Sequence, residues 1–138
     1  MVICTTTRRT TRCGTLTRME GKHLQNLIGT FSKLKSEWRS KISEDEWFFS
    51  SFRENFTSKL DSRECMDAFN FVIRCVLPEK DVLYANELCD LLLCLARKSG
   101  TTEIPAGLKE NFLELNALFM QNDYQRNVWE ELKAYYML

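Results

Sequence analysis

Imidazole is almost missing from this chain: His23 is its one histidine. A histidine base for nucleophilic catalysis therefore has one place to be, and a zinc site of the two-Cys, two-His kind is excluded. Gly numbers five and Pro two in 138 residues, too few for the many tight turns of a β-sandwich or barrel. The longest apolar run, Leu91 to Ala96, is six residues, where a membrane-spanning helix takes about 20. No G-x-G-x-x-G, G-x-x-x-x-G-K-[ST] or G-x-S-x-G occurs, so neither a Gly-rich phosphate cradle nor a nucleophile elbow is expected. Residues 5–18 are mainly Thr and Arg, with no secretory h-region. The six cysteines are then expected as reduced thiols in an intracellular compartment, cytoplasm or nucleus.

What is present is apolar side chain at helical spacing and an uneven charge. The hydrophobic fraction is 44% and the charged fraction 28%, with nine Phe, three Trp and four Tyr, enough for the core of one domain. Net charge is zero overall, yet Arg8, Arg9, Arg12, Arg18 and Lys22 face only Glu20 in residues 1–22. The rest is correspondingly acidic and is no polyanion binder over its whole surface. Residues 1–18, basic and rich in Thr and Arg, are expected to be a disordered tail, and 19–138 a helical domain.

The stripe Leu24, Leu27, Ile28, Phe31, Leu34, Trp38 and Ile42 predicts a helix over about 20–42. Ser43 and Glu46 have the spacing of a capping box for a second helix over about 44–60, carrying Phe48, Phe52, Phe56 and Leu60. Asp61 or Ser62 opens a third, about 62–77, ended by Pro78. Asp81 caps a fourth over about 82–98, apolar nearly all round and so expected to be buried on several sides. Gly100 suits its left-handed cap. A helix from about 106 and a last one, recapped at Asn122 and Asp123, complete the chain. The expectation is an all-α fold, a compact antiparallel bundle of five or six helices with a buried central helix at about 82–98. The caps at Asp81 and Asp123 lie 42 residues apart, close to the armadillo and HEAT period. Over residues 43–138 the paired-helix layout resembles a short fragment of such an array. The resemblance rests on layout and not on signature residues, since Leu88 would pair with Glu130 and Leu92 with Ala134. A Bcl-2-like bundle also buries a central helix, but the N-W-G-R motif of that family is absent.

Chemistry-bearing residues are sparse. The cysteines pair in sequence as 4/13, 65/75 and 89/94, none at C-x2-C spacing. Cys89 and Cys94 stand about 140° apart around a helix. No metal and no cofactor is expected, and Cys65, Cys75, Cys89 and Cys94 read as buried small hydrophobes. Cys4 and Cys13 sit among cations that lower a thiol pKa, where incidental oxidation is the expectation. His23 falls on the polar side of its helix, and Glu44-Asp45-Glu46 and Glu130-Glu131 on solvated faces. No catalytic residue is assigned, and the chain is read as not an enzyme.

Aromatics carry the functional expectation. Trp47, Phe48 and Phe49 are consecutive, about 100° apart on a helix, an arc wider than one helix–helix contact covers. Trp129, Tyr135 and Tyr136 pose the same question near the C-terminus. Either these six are core, or part of them is a partner site of the residue types that anchor interfaces. The reading is a non-enzymatic protein-interaction module, adaptor, scaffold or regulatory, that takes a helical peptide or a second copy of itself. The alternative is nucleic-acid or anionic-surface binding through Arg8, Arg9, Arg12, Arg18 and Lys22. Residues 1–18 also have the Arg-rich, acid-poor composition of a mitochondrial presequence. Alternatively they are upstream coding before a start at Met19.

Overall fold

The computed structural model describes residues 17–138, with side chains from Gly21 onward. Arg8, Arg9 and Arg12, with Cys4 and Cys13, lie outside the described residues. Seven helices follow in order: α1 (Thr17–Glu44), α2 (Phe48–Ser58), α3 (Ser62–Val76), α4 (Val82–Ser99), α5 (Ala106–Glu110), α6 (Phe112–Phe119) and α7 (Asp123–Tyr136). No strand occurs among the described residues, so the fold is all-α. The chain divides into two compact units between Arg39 and Ser40, within α1.

In the first unit α1 carries the expected stripe. Leu27, Phe31, Leu34 and Trp38 are buried, while Leu24 and Ile28 are exposed. The Arg39 guanidinium stacks on the Trp38 ring at 4.6 Å, an attraction of positive charge for the ring face.

In the second unit the helix ends follow local side-chain chemistry. The capping box expected at Ser43 and Glu46 does not form. Helix α1 runs on to Glu44, and the Ser43 hydroxyl instead donates back to the Ser40 carbonyl at 2.7 Å, as a serine inside a helix does. Helix α2 therefore begins only at Phe48, where the Trp47 N–H donates to the Asp45 carboxylate at 3.0 Å. A full capping box stands at α3: Asp61 accepts from the Glu64 N–H at 2.8 Å, and Glu64 accepts from the Asp61 N–H at 3.0 Å. Asp81 caps α4 by accepting from the Tyr84 N–H at 3.1 Å, and Gly100 ends it at φ 72°. The cap of α7 is Asn122, which accepts from the Gln125 N–H at 3.0 Å. Asp123 lies inside the first turn and pairs with Arg126 at 2.9 Å. The single helix expected from about 106 is broken at Asn111, whose φ −114° and ψ 17° are not helical, and this accounts for α5 and α6.

The packing direction departs from an all-antiparallel bundle. Helices α3 and α4 are antiparallel: the Ser62 hydroxyl at the start of α3 donates to the Ser99 carbonyl at the end of α4, 2.5 Å. Helices α2 and α4 run the same way, since Phe49 meets Tyr84 and Arg53 meets Glu87. So do α4 and α7, where Asn86 meets Gln125 and Arg97 meets Glu131. A returning segment separates each parallel pair, α3 in the first case and α5 with α6 in the second. Helix α4 packs against α2, α3 and α7. It buries Leu88, Leu91, Leu92 and Leu95 against the stripe Cys65, Phe69, Val72, Ile73 and Val76 of α3 and the α7 residues Val128 and Leu132. Helix α5 closes onto α3 where Gly107 lets the backbones approach. Its N–H donates to Asn70 Oδ1 at 2.7 Å, and a Cβ there would stand 2.8 Å from that oxygen.

Candidate interaction surface

The six aromatic candidates do not gather on one surface. Trp129 is the deepest: its ring lies 5.4 Å from Phe112 and 5.3 Å from Phe119, and its indole N–H donates to Asn116 Oδ1 at 2.9 Å. Tyr136 is buried edge-on against Phe69 at 6.1 Å. Tyr135 is half-buried, its hydroxyl donating to the Thr101 carbonyl at 3.1 Å. Phe49 is buried against Tyr84, and Phe48 is half-buried at its edge. Trp129, Tyr136 and Phe49 therefore lie in the core. Trp47 alone of the six is open to solvent, at 66% exposure. Among the basic candidates, Lys22 is exposed on α1 and Arg18 lies in the same helix.

The parallel course of α2, α4 and α7 brings their N-termini to one end of the second unit. Five of the second unit's eight exposed large apolar side chains stand there, while Leu113, Met137 and Leu138 are exposed elsewhere. Beside Trp47 stand Val82 and Leu83 at 55% and 60% exposure, with Met120 and Tyr124 also open. The Phe49–Tyr84 ring contact sets the start of α2 next to Val82 and Leu83. Between the α3–α4 turn and the α6–α7 turn lies a cavity of about 250 Å³, with Val76, Val82, Ala85 and Leu118 on its apolar side and Lys80 and Gln121 on its rim. Charge at this end is mixed. Glu44, Asp45, Glu46, Glu79, Asp81 and Asp123 stand with Lys41, Arg74, Lys80 and Arg126, and Arg126 is paired with Asp123. Val82 and Leu83 thus depart from the burial expected for the helix over about 82–98. The missed signal is position, because the first turn after a cap extends past its neighbours.

A polar ladder crosses the three parallel helices further along. Arg53 of α2 donates to Glu87 of α4 at 2.7 Å and lies 3.9 Å from Asp90, which accepts from the Tyr124 hydroxyl of α7. Burial pushes the Glu87 carboxyl up, against the opposing pull of Arg53. Its neighbours hold each group in place, so the ladder fastens helices together. A second, open concavity of about 750 Å³ lies between α3 and α5, with Arg63, Asp67, Glu103 and Lys109 of mixed sign around Met66 and Ile104.

The remaining chemistry is quiet. Cys65 and Cys89 are buried, and Cys75 and Cys94 half-buried. Burial raises all four thiol pKa values, that of Cys89 to about 12, which keeps them protonated. Glu130 and Glu131 are exposed and paired with Lys133 and Arg97. His23 is half-buried, its Nε2 shielded without a hydrogen-bond partner. Among the described residues no three of His, Cys, Asp and Glu could hold a metal ion, and no helix is long and apolar enough to cross a membrane. No protein family, curated protein or solved structure matches the chain.

Proposed function

We propose that this chain is a non-enzymatic protein-interaction module, an adaptor or scaffold of paired helices, with α4 as its central support. The observation that carries the reading is the gathering of Trp47, Val82, Leu83, Met120 and Tyr124 at one end of the second unit. Large apolar side chains left in water there gain nothing for folding, while their burial by a partner is favourable at about 25 cal/mol per Å². The reading likens the alternation of α2–α3 and α4–α5–α6 before α7 to the paired-helix layout of armadillo- and HEAT-type arrays, which present such surfaces to partners. The test is binding of an apolar fluorescent dye to the folded full chain, compared with V82S/L83S. The reading expects dye bound by the folded chain and reduced by more than half in the double variant. A folded chain that binds no dye and is a strict monomer by light scattering contradicts it.

A further inference from the structure

We draw no further inference here: the strongest candidate, the apolar surface patch that the starts of α2, α4 and α7 form beside the cavity between Val82 and Leu118, is surrounded by charges of both signs, and nothing in the structure shows what covers it.

Discussion

The two halves of α4 use the same residue types to opposite effect. From Leu88 to Ala96 the helix buries Leu88, Leu91, Leu92 and Leu95 against neighbours on several sides. One turn earlier, Val82 and Leu83 are more than half exposed. Val82 and Leu83 are as apolar as those leucines, and what differs is the number of elements beside them. The middle of α4 lies between α2, α3 and α7, while its first turn stands at their common end. An apolar residue is evidence of a core only where something covers it.

The largest effect should come from the buried half. Leu92 is 0% exposed, so Leu92→Ala is expected to cost about 3 kcal/mol through lost burial and a residual cavity, read by denaturant unfolding. A cost under about 1 kcal/mol would mean that α4 is not held from several sides. Cys89→Ser places a hydroxyl where the thiol is 1% exposed and should cost about 1–3 kcal/mol. Cys89→Ala should cost less, because it leaves no unpaired polar group. Alkylation followed by mass spectrometry should label Cys75 and Cys94 before Cys65 and Cys89 in the folded chain, as their burial orders them.

At the C-terminus of α7 a smaller gain is available. Met137 adopts φ 59°, donating to the Ala134 carbonyl at 3.2 Å while Leu138 donates to Lys133 at 2.8 Å, the paired bonds of a Schellman ending. A side chain is strained there, and Met137→Gly should stabilise by about 0.5 kcal/mol, the relief offset in part by the freer unfolded chain.

The ladder on α4 gives a pH signature. Burial raises the folded Glu87 carboxyl above its ordinary 4.5. The folded state then holds a proton that the unfolded state has lost, so stability declines as pH rises from the ordinary value through the folded one. Carbon-detected titration of Glu87 should show a midpoint above 4.5. A midpoint at or below it would mean that the Arg53 bond outweighs burial.

Much of this arrangement was legible along the chain, and the reasons it was legible are local. The stripes of α1, α3 and α4 follow from 3.6-residue periodicity, and Asp81 and Gly100 act as cap and stop because those roles need only nearby backbone. The Ser43–Glu46 box failed for an equally local reason, since α1 continued through its first member. Helix direction was not legible. Periodicity says which face is apolar and nothing about which helix meets it, so the parallel course of α2, α4 and α7 had no sequence signal. Trp129 and Tyr136 looked like surface candidates because their faces were counted without the partners that cover them, Phe112, Phe119 and Phe69. The exposed end was hidden by the same gap, because it exists only once three helix starts are brought together.

The central claim is that the start of α4 serves binding and its middle serves folding. Measuring both properties on V82S/L83S tests it most directly. The account predicts unfolding free energy within about 0.5 kcal/mol of the parent, with binding of the apolar dye reduced by more than half. A loss of stability approaching that of Leu92→Ala, or unchanged dye binding, would contradict it.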